Sequence, residues 1–315
     1  MQVLVLAGGL SAERDVSLRS GRRVAEALRV ERPEWEVVEH DVDAGLLDRL
    51  RHHRPDCIVP LLHGAAGEDG ALRDVLESLK IPFVGSSAAA SRLAFDKPVA
   101  KQLAHAAGIS TPACVAMPQT TFRELGATAV LDAVVERLGL PIVVKPTKGG
   151  SSLGTSIVRR AGDLPGAMVG AFAYGDVVLM EQYIEGVELA IGVFEREGDV
   201  LALSAVEIVP EGELYDYAAR YTAGTTEFFC PARLDDDRAV RAQALALNVH
   251  LLLGLRDWSR TDLIVDAAGV PWFLEVNVAP GMTETSLFPQ ALVAAEVPVG
   301  EVTADLVAAA VARAG

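Results

Sequence analysis

Two short segments near the C-terminus place carboxylates and an amide inside stretches that otherwise have the composition of β-strands. Residues 262–266 and 270–276 are rich in Val, Leu, Ile, Trp and Phe, and Asp-Ala-Ala-Gly supplies turn residues between them. A turn at 266–269 predicts that Asp262 faces Phe273 and that Arg260 faces Glu275. One face of the hairpin would then carry Arg260, Asp262, Phe273, Glu275 and Asn277.

Oxygen ligands in this combination suit Mg²⁺, a hard cation that favours carboxylates together with substrate phosphates. Arg260 could hold an anion there or simply neutralise the carboxylates. The alternative is a solvated face of an antiparallel sheet. The segment NVAPGMT at 277–283 favours a site, because a Pro-Gly bend directly after a strand exposes backbone N–H groups beside the carboxylates.

The composition limits the classes of protein to which the chain can belong. With 315 residues it is too long for one typical core, so two or three packed units are expected. The net charge of -15 argues against general binding to nucleic acid or to anionic membranes, because both need a basic surface. Three widely spaced cysteines predict free thiols. The start of the chain lacks a signal-peptide pattern and no apolar run approaches the roughly 18 residues of a membrane helix, so we expect a cytoplasmic protein.

The first 91 residues have the pattern of an open parallel sheet. Strand patterns cover 2–7, 36–40, 57–60 and 82–84, and helical patterns cover 15–30, 44–51 and 70–79. Ligands of such sheets bind beyond the carboxyl ends of the strands, where the loop 8–13 and the segment HGAAGEDG at 63–70 lie. The glycines also suit ordinary strand-to-helix turns, and His63, Glu68 and Asp69 also suit capping and loop solvation.

A Gly/Ser-rich loop at 147–155, TKGGSSLGT, joins two predicted strands at 140–146 and 156–159. A P-loop needs GxxxxGK[ST] and a dinucleotide-binding turn needs GxGxxG between a strand and a helix, and neither pattern occurs. The loop could instead be a flap that covers phosphates, with Lys145 and Lys148 as counter-charges. A floppy surface hairpin would have the same composition.

Two glutamates lie within later strand patterns, Glu181 in 177–183 and Glu188 in 187–194. Charged residues in strands usually face water, so these are ligands only if their strands line a cleft. A strand at 202–209 leads into a polar loop at 210–226, which is either a lid or a disordered crossing. Helical patterns complete the chain at 91–107, 235–253, 287–295 and 302–312.

Seven motifs, taken together and in order, resemble the D-alanine-D-alanine ligase family of the ATP-grasp superfamily over essentially the whole chain. They are GGLSAERDVS at 8–17, HGAAGEDG at 63–70, Asp96-Lys97, KPTKGGSSLG at 145–154, YDYAARY at 215–221, RTD at 260–262 and EVNVAPGMTETS at 275–286. One such motif could arise by chance, whereas seven in the same order are specific for the family.

The resemblance implies an α/β (α+β) fold class with the three-subdomain ATP-grasp architecture. The implied units are an N-terminal open parallel α/β sheet and two α+β units that clamp the nucleotide. Their expected boundaries are residues 1–96, residues 97–186 with the flap, and residues 187–315 with the lid loop and the magnesium site. ATP would lie between the second and third units, and the D-amino acids against the first.

The resemblance also implies roles for individual residues. Lys97 and Lys145 would contact the nucleotide phosphates, and Glu181 and Glu188 would hold adenine and ribose. The full set of implied cofactor-binding residues is Lys97, Lys145, Gly150, Ser152, Glu181, Glu188 and Arg220. The implied metal ligands are Asp262, Glu275 and Asn277, with two Mg²⁺ ions expected and Mn²⁺ as the alternative metal.

Five residues are implied to act in catalysis: Glu13, Ser151, Tyr221, Arg260 and Gly281. Glu13 would receive the ammonium of the first D-alanine, and Ser151 with Tyr221 would tie the flap to the lid loop. Arg260 and the Gly281 N–H would stabilise an oxyanion. The implied substrate-binding residues are His63, Ser286 and Leu287, the last two for the carboxylate of the second D-alanine.

The implied activity is the ATP-dependent ligation of two D-alanine molecules through an acyl phosphate, which supplies dipeptide for peptidoglycan. A homodimer, formed through the N-terminal unit, is the implied assembly. The alternatives are a related ATP-grasp ligase with another second substrate and a nucleotide-binding relative without turnover. One departure is Arg220, which stands where many family members have lysine, so charge is kept but geometry is not. Tyr221 favours an amine as second nucleophile, because relatives that make D-alanyl-D-lactate have a different residue there.

Overall fold

The computed structural model of the chain describes residues 1–212, 214–215, 220, 222 and 224–314. Its N-terminal sheet has three parallel strands in the order β2-β1-β3. These are β1 (Gln2–Ala7), β2 (Glu36–Asp41) and β3 (Cys57–Pro60), and the helices of this region are α1 (Arg14–Glu31), α2 (Leu46–His52), α3 (Ala65–Glu68) and α4 (Ala71–Ser78).

Strand β1 is apolar on both sides because helices cover both faces of its sheet. Val3 and Val5 pack in one core with α1, whereas Leu4 and Leu6 pack in another core with α2 and α4. The predicted strand 82–84 is wrong as a strand, since only a single parallel bridge forms there, between Ile58 and Phe83. The segment HGAAGEDG, expected as a loop, contains the single-turn helix α3.

Two helices, α5 (Ala88–Phe95) and α6 (Lys97–Ala106), replace the single helix predicted at 91–107. Asp96 between them has extended backbone angles, and its side chain accepts a hydrogen bond from the Val99 N–H. An aspartate N-cap followed by Pro98 starts a new helix, because proline at the first turn lacks the N–H that the previous helix would need. This break makes Lys97 the first residue of α6.

The central sheet is antiparallel, with strand order β4-β7-β5-β6. Its strands are β4 (Cys114–Pro118), β5 (Ile142–Pro146), β6 (Ser156–Val158) and β7 (Val177–Gln182), and its helices are α7 (Gln119–Leu125), α8 (Ala127–Leu138) and α9 (Leu164–Phe172). Side chains along these strands point alternately to the two faces of the sheet. Val144 and Met180 pack under the helices, whereas Lys145 and Glu181 line a cavity on the other side. The loop 147–155 joins β5 to β6, as predicted.

The third sheet is antiparallel, with strand order β11-β10-β8-β12-β13 and with β9 paired to β8. Its strands are β8 (Gly186–Arg196), β9 (Asp199–Ala202), β10 (Val206–Pro210), β11 (Thr226–Phe229), β12 (Trp258–Asp266) and β13 (Pro271–Asn277). The strand predicted at 202–209 is divided between β9 and β10. Helices α10 (Asp236–Leu252) and α6 cover one face through an aliphatic core. The other face is partly covered by the segment 287–294, and the rest of it lines the cavity.

The last two helices are α11 (Leu287–Ala294) and α12 (Val299–Ala314). Helix α12 packs against α1, and its residues Leu306 and Val307 share a core with β1. The end of the chain therefore completes the N-terminal unit, and the boundaries at 96 and 186 stay a prediction. Among the helices that the structure describes, none has both the length and the apolar character needed to cross a bilayer.

Candidate active site

The hairpin β12–β13 brings the predicted polar residues together, but in a different register from the one expected. Asp262 pairs with Glu275 and Arg260 pairs with Asn277. The predicted pairing of Asp262 with Phe273 and of Arg260 with Glu275 is wrong, because the register shifts after Asp262 and Leu274 is an extra residue in β13. This bulge turns Phe273 into the core beneath the sheet, opposite Leu263, so it does not share the polar face.

Charges on this face are paired. The Arg260 guanidinium binds the Asp262 carboxylate in a bidentate fashion, at 2.7 and 2.9 Å. The Lys97 Nζ lies 3.2 Å from Glu275 Oε2, and the Asn277 amide oxygen accepts from the Ala279 N–H at 2.8 Å. Burial by itself would raise the pKa of Glu275, but Lys97 and other nearby cations lower it to about 2. Glu275 is therefore ionised at neutral pH.

The donor set of this face fits a magnesium ion. Two carboxylates on directly paired residues and an amide oxygen on the same strand are hard oxygen donors. Within the part of the chain that the structure describes, no three His, Cys, Asp or Glu side chains form a metal cluster. The protein would thus supply Asp262, Glu275 and Asn277, and substrate oxygens or water would complete the coordination. Arg260 and Lys97 partly neutralise the two carboxylates.

A second, buried charge cluster joins the central sheet to helix α6. Glu181 forms ion pairs with two lysines. Lys145 contacts its Oε1, and the Lys101 Nζ lies 2.9 Å from its Oε2. The Lys101 Nζ also reaches the Phe273 carbonyl oxygen at 3.4 Å. Burial would raise the pKa of Glu181, but the two lysines lower it, whereas burial lowers the pKa of Lys101 despite Glu181. Only Lys145 and Glu181 were predicted as site residues.

A cavity of about 420 Å³ lies between the central and third sheets. Apolar side chains make up much of its lining, among them Val143, Ile157, Ile184, Val187, Ile208, Ile264 and Leu274. The lining also includes the cations Lys97, Lys145 and Arg220. Glu188 lines the same cavity, and burial raises its pKa to about 7. An apolar slot that also contains cations suits a planar base joined to phosphates.

The Gly/Ser loop closes over both the cavity and the hairpin. The Ser151 hydroxyl donates to Glu13 Oε1 at 2.5 Å, and the Ser152 hydroxyl donates to the Tyr215 carbonyl at 2.9 Å. Arg220 donates to Ser152 Oγ at 3.2 Å and stacks over the Tyr215 ring at 4.2 Å. The loop is therefore a closed flap rather than a free surface hairpin. Tyr221, the predicted partner of Ser151, lies outside the described residues.

A smaller cavity of about 100 Å³ continues from the first towards the N-terminal sheet. Its lining unites the predicted substrate and catalytic residues of five separate segments, namely Glu13, His63, Ser151, Arg260, Gly281, Ser286 and Leu287. His63 is buried, no described residue is a hydrogen-bond partner of its Nε2, and burial lowers its pKa in spite of Glu13. Glu68 also lines the cavity while its carboxylate accepts from the Gly64 N–H at 2.8 Å. Burial and Glu13 raise the pKa of Glu68 to about 8.

The loop after β13 forms the far wall of the smaller cavity. Ser286 Oγ accepts from the Thr283 N–H at 3.1 Å and lies 2.7 Å from Thr283 Oγ1. A Cβ at Gly281 would lie 2.8 Å from Ser286 Oγ, so only glycine fits at this bend without displacing the serine. The Pro-Gly bend and the serine thus form one compact unit.

The comparisons with known proteins agree with this geometry. The family model described as D-ala D-ala ligase C-terminus matches residues 103–308. The D-alanine-D-alanine ligase of Nitrosospira multiformis is 43% identical over 93% of this chain and 92% of its own. The chain belongs to the D-alanine-D-alanine ligase family. A second member, from Pelotomaculum thermopropionicum, is 38% identical over 100% of this chain and 98% of its own.

Solved structures of the family share the fold. The Bacillus anthracis D-alanine-D-alanine ligase superposes with a TM-score of 0.84 at 29% identity, over 100% of this chain and 98% of its own. The same ligase complexed with ATP gives a TM-score of 0.82 at 28% identity, over the same shares. The VanG D-Ala:D-Ser ligase of Enterococcus faecalis gives 0.83 at 25% identity, over 98% of this chain and 99% of its own. The predicted α/β ATP-grasp architecture is confirmed.

Sequence reasoning within this family pattern missed two features of the site. Lys101 was not predicted as a site residue, although it lies four residues after Lys97 and thus on the same side of α6. The hydroxyl of Ser152, predicted to bind the nucleotide, is hydrogen-bonded to Tyr215 and Arg220 in the closed flap. Asp69 has the capping role that was left open, because its carboxylate accepts from the Ala71 N–H at 2.8 Å.

Proposed function

We propose that this member of the family ligates two D-alanine molecules to D-alanyl-D-alanine, with ATP converted to ADP and phosphate. The observation that carries the proposal is the contact between the two cavities. They share six lining residues, which are Lys97, Gly149, Gly150, Tyr215, Arg220 and Glu275. A phosphoryl donor in the larger cavity and an amino acid in the smaller one would therefore meet at a cationic junction.

The larger cavity binds ATP in this proposal. The base occupies the apolar slot, and Glu188 accepts hydrogen bonds from the ribose hydroxyls. Lys97, Lys145 and Arg220 bind the phosphates, with the flap residues Gly150 and Ser152 above them. Because the Glu181 carboxylate is already held by two lysines, its side chain fixes Lys145, and its backbone is left to contact the base.

Asp262, Glu275 and Asn277 hold Mg²⁺, and two ions are expected, with Mn²⁺ as an alternative. Bound magnesium would neutralise charge on the phosphates during transfer. The chain itself keeps the ligands ready, because Glu275 is ionised and because Arg260 holds Asp262 in place on its strand. With magnesium bound to Glu275, Lys97 would be free to bind a phosphate oxygen.

The first D-alanine binds in the smaller cavity, with its ammonium on Glu13 and with His63 beside it. Its carboxylate oxygen attacks the γ-phosphorus, the bond between the γ-phosphorus and the bridging oxygen breaks, and ADP leaves. Lys97, Lys145 and Arg220 neutralise the charge that moves onto the ADP oxygens. The product of this step is D-alanyl phosphate, in which the carbonyl carbon is activated for attack.

The second D-alanine binds with its carboxylate on the Ser286 hydroxyl and the Leu287 N–H. Its amine, as the free base, attacks the acyl carbon, the carbon–oxygen bond to phosphate breaks, and the departing phosphate takes up the proton that the amine loses. Arg260 and the Gly281 N–H stabilise the oxyanion of the tetrahedral intermediate. Each such donor contributes about 3 to 4 kcal/mol at comparable sites.

Water must be excluded while the acyl phosphate exists, and the flap serves this purpose. The hydrogen bond between Ser151 and Glu13 ties flap closure to the residue that receives the first amino acid. The dipeptide would enter peptidoglycan synthesis. We further propose a cytoplasmic homodimer that interacts with small molecules and with neither nucleic acid nor membrane.

A coupled assay tests the proposal by measuring phosphate release and dipeptide mass together. We expect release that requires ATP, Mg²⁺ and D-alanine, and no release with L-alanine. A panel that adds D-serine or D-lactate as second substrate separates the proposal from a related ligase. Release with D-lactate but not with D-alanine alone would refute it, and binding of ATP without release under any condition would favour a non-catalytic relative.

A further inference from the structure

Helix α1 holds the backbone of the loop that forms the acceptor side of the smaller cavity. The Met282 N–H donates to Ser20 Oγ at 3.0 Å. The Arg23 guanidinium donates to the carbonyl oxygens of Met282 and Thr283 at 3.2 and 2.6 Å. These contacts join residues about 260 positions apart in the chain, so they link the N-terminal unit directly to the loop after β13.

The contact of Ser20 is buried and those of Arg23 are partly buried, and together they hold three successive peptide groups. Ser20 and Met282 are buried, Thr283 is buried, and Arg23 is half-buried. Because Ser20 fixes the N–H and Arg23 fixes the carbonyl of Met282, the peptide planes on both sides of this residue are set from one helix. The Nη1 nitrogen of Arg23 alone donates to both carbonyls, and its positive charge strengthens both hydrogen bonds.

The held segment carries the groups assigned to the second half of the reaction. Gly281 directly precedes Met282, and its N–H is the proposed oxyanion donor. Thr283 contacts the Ser286 hydroxyl through both its N–H and its Oγ1. A displacement of the Met282 and Thr283 backbone would therefore move the oxyanion donor and the acceptor carboxylate site together.

The same helix is also connected to the donor side of the site. Glu13 immediately precedes α1, and its carbonyl accepts the Ser17 N–H at 3.0 Å, in the first turn. Glu13 and Arg23 are ten residues apart, which corresponds to about 15 Å along a helix. A single rigid element thus spans from the residue that receives the first amino acid to the loop that receives the second.

We propose that Ser20 and Arg23 are positioning residues that set the acceptor subsite and the Gly281 N–H relative to the donor D-alanine. The inference rests on the proposed ligase function. Without these contacts D-alanyl phosphate still forms, because the groups for phosphoryl transfer lie elsewhere. The amine of the second D-alanine then attacks D-alanyl phosphate less often, and water hydrolyses part of the D-alanyl phosphate to D-alanine and phosphate.

The test compares Arg23→Met with Arg22→Met. Arg22 is the neighbouring exposed arginine of the same helix and lines the same surface depression, but among the described residues the carbonyls of Met282 and Thr283 accept hydrogen bonds from Arg23 and not from Arg22, so it is a matched control. Dipeptide and phosphate are measured in the same samples across D-alanine concentrations. For Arg23→Met we expect kcat/KM for dipeptide formation to fall about tenfold while phosphate release changes by less than about threefold. The ratio of dipeptide to phosphate thus falls below that of the wild type and of Arg22→Met.

Two further variants keep the test decisive. Ser20→Ala should lower the same ratio, and Arg23→Lys should restore part of it, because an ammonium can still donate to one carbonyl. The inference is overturned if Arg23→Met keeps the wild-type ratio, even when its melting temperature falls, since the contact then only stabilises the fold. A wild-type protein that releases no phosphate with D-alanine would refute the ligase proposal instead, before any variant is compared.

Discussion

The floor and the roof of the site are held by different kinds of interaction. We call the polar face of the β12–β13 hairpin the floor, and the flap at 147–155 with Tyr215 and Arg220 the roof. Strand β12 is hydrogen-bonded to β8 on one side and to β13 on the other, so the floor is built on an interior strand and the terminal strand of one backbone ladder. The roof is tied to its surroundings by side-chain hydrogen bonds such as those of Ser151 and Ser152.

This difference indicates which part moves. A single side-chain hydrogen bond contributes only about 1 kcal/mol net, so the roof can open for substrate exchange. A sheet ladder backed by an aliphatic core does not open without unfolding. Lys97 belongs to both regions, because its Nζ pairs with Glu275 of the floor and donates to the Gly149 carbonyl of the roof at 2.7 Å.

The largest effect is expected from Glu275→Gln, which removes charge from the floor without changing its shape. We expect kcat/KM to fall by at least about a hundredfold, because the variant loses a metal ligand and the partner of Lys97. A magnesium titration of phosphate release should show weaker dependence on the metal. The control is Glu284→Gln, an exposed acid in the following loop. Normal turnover by Glu275→Gln would contradict the assignment of the floor as the metal site.

The next largest effect should come from Lys101→Met, which tests the buried support of the floor. Loss of one lysine leaves the Glu181 carboxylate undercompensated in the interior, which should cost about 3 kcal/mol of unfolding free energy. Denaturant unfolding measures this loss. Adding Glu181→Gln to Lys101→Met should recover part of the stability, since the uncompensated charge is then gone. Additive losses in the double variant would show that the two residues are not coupled.

Glu68, which lines the smaller cavity beside the floor and the roof, predicts a pH dependence of stability. Its pKa is raised from 4.5 to about 8, so the folded state keeps a proton that the unfolded state releases between these values. The contribution of Glu68 to the free energy of unfolding is fully present below pH 4.5. It is lost as the pH rises towards 8, by about 1 kcal/mol per pH unit. Unfolding of the wild type and of Glu68→Gln across pH 5 to 8 measures it. Parallel stability profiles would show that Glu68 is ionised in the folded protein.

The smallest effect is expected from Arg220→Lys, a change in the roof. Lysine keeps the charge but loses the planar contact with Tyr215 and one of the hydrogen bonds that close the flap, worth about 1 kcal/mol together. The KM for ATP should rise about fivefold, with little change in melting temperature. Limited proteolysis of the flap, with and without nucleotide, reports its closure. An effect as large as that of Glu275→Gln would remove the distinction between roof and floor.

Several elements could be predicted because their signals are local. Strand β3 and the helix α10 lie within one residue of the predicted ranges 57–60 and 235–253, since both depend on apolar periodicity over a short window. The split of the predicted helix 91–107 was also encoded locally, in the Asp96-Lys97-Pro98 start signal, but continuous apolar spacing obscured it. The predicted strand 82–84 forms only the bridge between Ile58 and Phe83, because pairing with a strand distant in sequence is not visible in a short window.

The sequence by itself determined the family and the chemical groups of the site, since seven motifs carry the carboxylates, lysines and glycines that the reaction needs. Tertiary structure decided which groups meet. The bulge at Leu274 sets Asp262 against Glu275, and Glu181 takes two lysines rather than one. Ser20 and Arg23 reach a loop about 260 residues away. Such partners depend on how whole sheets pack, and no local pattern of residues records that packing.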